Sequence, residues 1–392
     1  MSPPRLQMPR RRFGKTELDL PIISLGGMRH MHSWRDLKRT PKTSQANVEA
    51  VLHRAFAMGI NHFETARGYG TSELEMGRFL ADFPRDQIIV MTKAGPRANP
   101  DDFARQVDEC LTRLRLDRLD LFAMHGLNDA ERVRWTLKRG GCLKVVERLR
   151  DQGVIDHIGF STHAPLDIIL EALNSEAFEF VNLHFYHFNQ RHWPAVQRAH
   201  ALDMGVFIIS PQDKGGMLYR PSEKLREATR PLHPMTFNQL WTLSHPEVHT
   251  LSFGASKTSE LASLRALMRE FPRTRSALRG IPERVERTMH RALGETWCSH
   301  CHECLPCPEG INIPEALRLR NLLRGLDMKR FAKMRYNIFE SAGHWFPGNK
   351  ATACTECGDC LPRCPEKLEI PRLLFDLHES VAGEKVKRLG SH

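Results

Sequence analysis

The 392-residue sequence has no uninterrupted apolar run that approaches the roughly 20 residues of a membrane-spanning helix. An integral membrane protein is therefore not expected. The basic run Arg10-Arg11-Arg12 is followed at once by Glu17 and Asp19, and not by the apolar stretch that a twin-arginine export signal requires. We predict a basic opening hairpin there and, because the chain is rich in cysteines that favour a reducing compartment, a cytoplasmic protein.

Two recognition patterns are also missing. No glycine-rich phosphate loop follows the first predicted strand, because Gly26-Gly27 leads directly into Met28, Arg29 and His30. No nucleic-acid motif or interleaved aromatic platform occurs, so specific nucleic-acid binding is not expected. The net charge of +11 instead favours acidic partners, such as a phosphate-bearing cofactor or an acidic electron carrier.

Cysteine is concentrated at one end of the sequence, where eight of the ten cysteines form two groups that each close on Cys-Pro. The first group, with spacing C-x2-C-x2-C-x2-C-P, is Cys298, Cys301, Cys304 and Cys307. The second, with spacing C-x2-C-x2-C-x3-C-P, is Cys354, Cys357, Cys360 and Cys364. The second spacing is the ligand run of bacterial-type [4Fe–4S] ferredoxins, in which the fourth cysteine can ligate a different cluster. We predict two [4Fe–4S] clusters.

The spacing of these cysteines fits two other uses less well. A secreted disulfide framework suits short exported chains better than this long one. Structural zinc commonly uses paired C-x2-C motifs, but usually separates two such pairs by a dozen or more residues. The segment 307–314 reappears at 364–371, each copy starting a helix with Ile-Pro, which predicts a duplicated, mostly helical dicluster module over residues 291–392. Whether Cys307 and Cys364 exchange clusters stays open.

Residues 1–290 alternate short β-rich runs with helical patterns. The predicted strands are Ile22–Gly26, Asn61–Thr65, Ile88–Thr92, Leu119–Met124, His157–Ser161, Val181–Phe185, Val206–Ser210 and Thr250–Phe253. Eight such units predict a (β/α)8 TIM barrel, with a doubly wound open sheet as the alternative. The linking helices of the second domain carry a cluster of cations, for which a solvated helix face is the simpler interpretation: Arg318, Arg320, Arg324, Lys329, Arg330, Lys333 and Arg335.

Reactive groups of such barrels lie at the carboxyl ends of the strands and in the loops that follow them. Four residues fit this rule. Glu64 lies at the end of the second predicted strand, Tyr69 in the loop after it, Lys93 just past the third and His125 just past the fourth. Each alone has an ordinary structural explanation, but together they predict one site at the barrel rim.

Several runs resemble the aldo-keto reductase superfamily: RRFGKTELDLPIISLGGM, GINHFETARGYGTSELEMG, VMTKAG, FAMHG, IGFSTH and SFGASKTSEL. With the cysteine module, the chain is similar to aldo/keto reductases that carry a C-terminal ferredoxin domain. The resemblance implies hydride transfer from a nicotinamide to a small carbonyl substrate, with Tyr69 as proton donor. Lys93 would lower the phenol pKa, His125 would orient the carbonyl, and Glu64 would hold Lys93. The superfamily commonly has aspartate where Glu64 stands.

The same resemblance implies an NADP(H) site. Its predicted residues are Gly27, Met28, Ser161, Thr162, Asn182, Ser210, Gly254, Ser256 and Lys257. Asn182 stands where a glutamine is frequent, and Ile209-Ser210-Pro211 where many members have an aromatic residue that stacks on the nicotinamide. The run Gly254-Ala255-Ser256-Lys257 would bind a phosphate at a helix start, unless it is an ordinary capped turn with a solvated lysine.

The two halves together predict an NADP(H)-linked oxidoreductase in which the barrel handles hydride and the clusters handle single electrons. The alternative is a barrel that binds a nucleotide without turnover, beside clusters that serve as a structural or redox-sensing module.

Overall fold

The computed structural model describes residues 7–30, 32–35 and 37–383. The strands are β1 (Arg10–Arg12), β2 (Asp19–Pro21), β3 (Ile23–Gly26), β4 (His62–Glu64), β5 (Ile89–Ala94), β6 (Leu119–His125), β7 (Ile155–Ser161), β8 (Phe180–Leu183), β9 (Gly205–Ile208) and β10 (Thr250–Phe253).

The helices follow the strands in the expected alternation. Up to residue 277 they are α1 (Lys42–Phe56), α2 (Ser72–Met76), α3 (Pro100–Leu114), α4 (Ala130–Leu137), α5 (Cys142–Asp151), α6 (Leu166–Asn174), α7 (Trp193–Ala201), α8 (Glu223–Thr229), α9 (Pro234–Leu243), α10 (Leu264–Glu270) and α11 (Thr274–Ala277). The later ones are α12 (Ile281–Leu293), α13 (Ile313–Leu326), α14 (Lys329–Tyr336) and α15 (Ile370–Val381). Among the described residues, none of the helices combines the length and the apolarity needed to cross a membrane.

Strands β3 to β10 form a closed barrel of eight parallel strands, which confirms the predicted fold and excludes the open sheet. The predicted strand bounds are correct to within a few residues. The differences that matter concern two site residues: Lys93 lies inside β5 and His125 is the last residue of β6, whereas both were expected just past their strands. Both strands run further because β5 and β6 remain paired from Met91 to Ala94.

The opening hairpin is also confirmed, with β1 and β2 antiparallel and Arg10 opposite Pro21. Phe13, in the turn between them, is fully buried and belongs to the barrel core with Met91, Leu121 and Phe207. Burying a side chain of this size contributes about 1.5–3 kcal/mol. The hairpin therefore closes the amino-terminal end of the barrel, so that chemistry is left to the opposite end.

Contacts within the chain define two compact units, and they divide it differently from the predicted boundary at 290/291. The first unit contains residues up to Pro211 and Gln239–Thr274, and the second contains Gln212–Asn238 and the chain from Arg275 onward. In the second unit, Ser222 Oγ donates to the Leu326 carbonyl at 2.5 Å and Arg284 Nε donates to the Ala228 carbonyl at 2.8 Å. Residues 212–238 therefore pack with the cysteine module although barrel strands flank them in sequence.

Two helices of the second unit begin where the repeat predicts. Both α13 and α15 start at the isoleucine of Ile-Pro and place the proline in the first turn. Proline is favoured there because its missing N–H would have no helical partner. Asn312 also caps α13, since its side-chain oxygen accepts a hydrogen bond from the Glu315 N–H at 3.3 Å.

The expectation that the cations on the linking helices form a solvated face is wrong for three of the seven. Arg318, Arg320 and Arg335 are only 4%, 7% and 2% exposed. The buried cations and their carboxylate partners are Arg318 with Glu315, Arg320 with Asp376, and Arg335 with Asp213. A buried charge needs a partner, and these carboxylates come partly from other segments that sequence spacing does not pair.

Candidate functional site

Three of the predicted site residues meet at the carboxyl end of neighbouring barrel strands. The Lys93 Nζ lies 4.9 Å from the centroid of the Tyr69 ring. The Tyr69 and His125 rings meet edge to face, with centroids 5.6 Å apart and an angle of 86° between their planes. Lys93 is buried, whereas Tyr69 and His125 are half-buried. The phenol and the imidazole thus share one accessible location above a buried cation.

Glu64 completes the group as the ion-pair partner of Lys93. Lys93 and Glu64 are 1% and 3% exposed, and Lys93 Nζ also donates to the Thr65 carbonyl at 2.7 Å. Burial lowers the pKa of Lys93 well below its usual value, and the adjoining carboxylate acts against that shift. Glu64 is therefore the group that keeps positive charge beside Tyr69.

The loop that carries Tyr69 is fixed by main-chain contacts. The Arg67 N–H donates to the Lys93 carbonyl at 2.8 Å, which ties the loop to β5. The Ser72 N–H donates to the Tyr69 carbonyl at 3.0 Å, where α2 begins. Gly70 has a φ of +54°, and a Cβ there would collide with the Ser33 carbonyl, so this turn requires glycine. The spacing Tyr69-Gly70 thus follows from the geometry of the turn.

Sequence reasoning missed the residues beneath this loop. Glu73 is fully buried and accepts hydrogen bonds from Thr92 Oγ1 at 2.6 Å and from Arg113 Nε at 3.1 Å. Arg113 also donates to the Gly70 carbonyl. Thr92 precedes Lys93 and Gly70 follows Tyr69, so one carboxylate connects the strand of the cation to the loop of the phenol. The sequence offered little signal, because α2 contains two glutamates, Glu73 and Glu75, and buries both.

Three predicted residues lie side by side at the strand ends. His125 is in register with Ser161 on β7, and Ser161 with Asn182 on β8. Residues in register on parallel strands point to the same face. Asn182 is fully buried, and its Oδ1 has no hydrogen-bond partner among the described residues. A buried amide oxygen of this kind fits a carboxamide donor, so Asn182 suits the nicotinamide end of a cofactor.

Thr162 and Ser210 have other local roles. Thr162 is fully buried, donates its hydroxyl to the Leu127 carbonyl at 2.7 Å and accepts from the Ala164 N–H at 3.0 Å. Ser210 has a φ of +51°, directly after the Ile209 carbonyl, which accepts from the Tyr186 hydroxyl at 2.6 Å. Thr162 thus joins two rim loops, and the backbone before Ser210 is held by Tyr186 from the loop after β8.

At the opposite end of the predicted cofactor site, the donors already have a carboxylate partner. The Ser256 N–H donates to Glu260 Oε2 at 2.8 Å, and Arg29 pairs with the same carboxylate at 2.8 Å. Arg29 also donates to the Gly254 carbonyl at 3.0 Å, while Lys257 is exposed. Sequence reasoning missed Arg29 and Glu260. In this structure the Glu260 carboxylate closes the turn at Ser256, and a phosphate would have to take the place of Glu260 or bind Lys257.

Gly27 and Met28 line the start of the first βα loop. A Cβ on Gly27 would lie 2.6 Å from Ser72 Oγ and 2.9 Å from the Glu64 carbonyl, so only glycine fits. Ser72 Oγ donates to the Gly27 carbonyl at 2.8 Å, and Met28 is half-buried. Gly27 therefore allows the close packing of the first loop on the loop of Tyr69.

The cysteines of the second unit surround two cavities. The larger one is lined by Cys354, Cys357, Cys360 and, from the other group, Cys307. The smaller one is lined by Cys298, Cys301, Cys304 and, again from the other group, Cys364. Each cavity thus has three cysteines of one run and the fourth cysteine of the other, which is the arrangement that ferredoxin spacing permits. The cavity linings therefore favour the exchanged wiring over one in which each run binds its own cluster.

The thiols of each set also affect one another. Burial, with Cys301 and Cys364 as charged neighbours, raises the pKa of Cys298 to about 11. Burial also raises the pKa of Cys360, to which Cys354, Cys357 and Cys307 contribute. Thiolates so close together are unfavourable without a cation between them, and a bound metal core supplies that positive charge. The donor sets therefore fit two [4Fe–4S] clusters.

The exchanged wiring predicts the iron content of paired cysteine variants. With it, Cys301→Ser and Cys364→Ser remove ligands of the same cluster, so the double variant keeps about four iron atoms per chain. The double variant Cys301→Ser/Cys307→Ser removes one ligand from each cluster and loses most of its iron. Iron and sulfide analysis after anaerobic purification distinguishes the two. The reverse result would show that each run binds its own cluster. Stoichiometric zinc without iron in the unmodified chain would show that the cysteines bind zinc and not iron–sulfur clusters.

Comparisons with known proteins agree with both halves of this description. Residues 22–217 match the profile of the family described as the aldo/keto reductase family, and residues 297–368 match the 4Fe-4S dicluster domain. The uncharacterized oxidoreductase YqkF of Bacillus subtilis is 25% identical over 291 residues, which are 65% of this chain and 89% of that protein. D-threo-aldose 1-dehydrogenase of a Pseudomonas species is 33% identical over 165 residues, 31% of this chain and 49% of that one.

Solved structures show the same fold. The aldo-keto reductase AKR11C1 of Bacillus halodurans aligns with a TM-score of 0.57 at 19% identity, over 70% of this chain and 96% of that one. An aldo-keto reductase of Klebsiella pneumoniae in complex with NADPH aligns with a TM-score of 0.54 at 18% identity, over 69% and 95%. The likeness to these two structures is one of fold. The chain spans about half of the dehydrogenase above but most of YqkF.

Proposed function

Because the chain belongs to the aldo/keto reductase family, we propose that it transfers hydride between NADP(H) and a small carbonyl substrate and exchanges electrons through two iron–sulfur clusters. The chain is an oxidoreductase of this family with a 4Fe-4S domain, and the proposal builds on that. The substrate, the roles of individual residues and the coupling between hydride and electrons are the proposal itself.

The observation that carries the proposal is the meeting of Tyr69, Lys93 and His125. A phenol beside a cation gives up its proton more readily, because the positive charge stabilises the phenolate. The imidazole lies edge-on to that phenol, so both groups can hydrogen-bond to the same carbonyl oxygen of a substrate. Proton transfer by a positioned side chain of this kind typically contributes 10²–10⁴-fold to a rate.

A reduced nicotinamide, when bound, supplies the hydride to the carbonyl carbon. His125 would orient the carbonyl oxygen by hydrogen bonding, and Tyr69 would protonate that oxygen as the hydride arrives. Lys93, held by Glu64, would stabilise the phenolate that remains until Tyr69 is reprotonated from solvent. Asn182, with its unsatisfied amide oxygen, would hold the carboxamide of the ring. The departure from the common aspartate at Glu64 lengthens the arm by one methylene and leaves the contact with Lys93 intact.

The cluster half of the proposal is supported by the two four-cysteine cavities. A hydride carries two electrons and each [4Fe–4S] centre exchanges one, so two centres match one hydride. The competing function is nucleotide binding without turnover. It is favoured by the segment Ile209-Ser210-Pro211, which offers no aromatic ring to stack on a nicotinamide and hold it for hydride transfer.

Mixing the anaerobic holoprotein with NADPH tests the proposal. We expect the visible absorbance of the clusters to bleach, and NADPH to be consumed when an aldehyde is added. Binding of NADPH that causes neither change would support the non-catalytic alternative. Dithionite, which reduces the clusters directly, serves as the control for their competence. Aldehyde-dependent NADPH oxidation without bleaching would support the reductase and contradict the electron coupling.

A further inference from the structure

The surface around the cysteines has a charge opposite to that of the whole chain. Segments 298–310 and 352–369 contain six carboxylates and two cations, a net charge of −4, whereas the chain carries +11. Thiolate ligands would add further negative charge there. The charge that an approaching carrier meets near a redox centre is the local one, since exposed charges beyond about 10 Å are largely screened at 0.1 M salt.

The carboxylates concentrate around the exposed ligands. The larger cavity is lined by Glu309, Glu356 and Asp359, and the smaller one by Glu366. Except for Glu309, which is half-buried, these carboxylates are exposed. Each cavity also has an exposed cysteine, Cys357 in the larger and Cys301 in the smaller. The cysteine edge is defined here as these two cysteines with Glu356, Asp359 and Glu366.

The net charge of −4 already includes the two cations of these segments, Arg363 and Lys367. Arg363 lines the larger cavity and donates to two backbone carbonyls. Its Nε lies 2.7 Å from the carbonyl oxygen of Asp359 and its Nη2 lies 3.0 Å from that of Pro306. Lys367 is exposed beside Glu366. The linking helices, which hold much of the positive charge, bury three of their seven cations in ion pairs. The positive charge expected to attract an acidic carrier is therefore partly neutralised within the unit.

We propose that the cysteine edge is the docking surface for a one-electron carrier protein whose own face is basic. The inference rests on the cluster half of the proposed function. A reduced [4Fe–4S] centre held by these cysteines would give one electron to the oxidised centre of the carrier in each encounter, and no proton or group would move. Exposed cysteines bring two centres near the surface, and complementary charge raises the association rate most strongly at low salt. Such transient contacts are small and polar.

Isothermal titration of the oxidised holoprotein with two oxidised probes tests this docking without electron flow or NADPH. The probes are mitochondrial cytochrome c, which is basic, and plant [2Fe–2S] ferredoxin, which is acidic. We expect cytochrome c to bind at low salt and to bind about tenfold more weakly at 0.2 M salt, because screening removes most of the attraction. Stopped-flow oxidation of the dithionite-reduced chain by cytochrome c should slow in parallel.

A charge-reversal pair locates the surface. The double variant Glu356→Lys/Asp359→Lys should weaken cytochrome c binding by at least tenfold. The double variant Glu283→Lys/Glu286→Lys on α12 changes the net charge equally at exposed positions that line neither cavity, and it should leave the affinity within about twofold. Iron content and visible absorbance verify that both variants keep their clusters, and Glu366→Lys repeats the test at the other cavity.

Three results would overturn the proposal. Tighter binding of the acidic ferredoxin would show that the net charge of the chain decides the partner. Equal weakening by both double variants would mean that the attraction is not local, and binding of neither probe at low salt would exclude docking at this edge. None of these results depends on NADPH, so a failure of the hydride chemistry would leave the outcome readable.

Discussion

Replacing Tyr69 by phenylalanine should lower kcat for carbonyl reduction by roughly 10²- to 10⁴-fold, the range expected when a positioned proton donor is removed. The substitution removes one hydroxyl and keeps the ring, so the contacts with Lys93 and His125 survive. The half-buried position of the ring also means that little stability is lost. Steady-state kinetics with NADPH and an aldehyde measure the loss, and the affinity for NADPH should stay unchanged.

The chain offers a matched control for that variant. Tyr219→Phe also removes one phenol hydroxyl, whose bond to Asp213 Oδ1 is long at 3.4 Å, and it should leave kcat within about twofold. A pH profile adds a second readout, because loss of the acid should abolish the alkaline limb of kcat. Full activity in Tyr69→Phe would mean that another group protonates the alkoxide, and the assignment of Tyr69 would be wrong.

The barrel and the positions of its candidate catalytic residues were predictable because they depend on local patterns. Strand-length apolar runs alternate with helical ones, and parallel strands direct their carboxyl ends to one rim. That rule alone brings Glu64, Tyr69, Lys93 and His125 together, and the structure places them so. The small errors in the bounds of β5 and β6 arose because strand ends depend on pairing with a neighbour, which a single sequence does not show.

Other features depend on contacts between distant segments. The exchange of Cys307 and Cys364 between the cavities follows from how the duplicated halves pack, and the spacing allowed either wiring. Similarly, Arg335 is neutralised by Asp213, 122 residues away, so its burial could not be inferred from helical periodicity. The sequence places Glu260 in the first turn after β10, where a carboxylate is favourable at a helix start. It does not show that Glu260 accepts the Ser256 N–H, which a bound phosphate would also need.

The buried pair of Glu64 and Lys93 predicts the second large effect, which concerns stability as well as rate. Glu64→Gln leaves the Lys93 ammonium buried without its carboxylate, and breaking a buried ion pair in this way typically costs 3–5 kcal/mol. The pKa of Lys93, which burial already lowers, should fall further. The positive charge beside Tyr69 would then be lost, and kcat should fall together with the free energy of unfolding.

Adding Lys93→Met to Glu64→Gln separates the two effects. The double variant has no buried charge, so most of the lost stability should return, while kcat stays low because nothing replaces the cation beside Tyr69. Glu64→Asp is the control, since it keeps the charge and shortens the arm by one methylene. Urea unfolding and steady-state kinetics on the unmodified chain and these three variants measure both effects. If the double variant regained activity along with stability, Lys93 would serve the fold alone, and the electrostatic role of the pair would have to be abandoned.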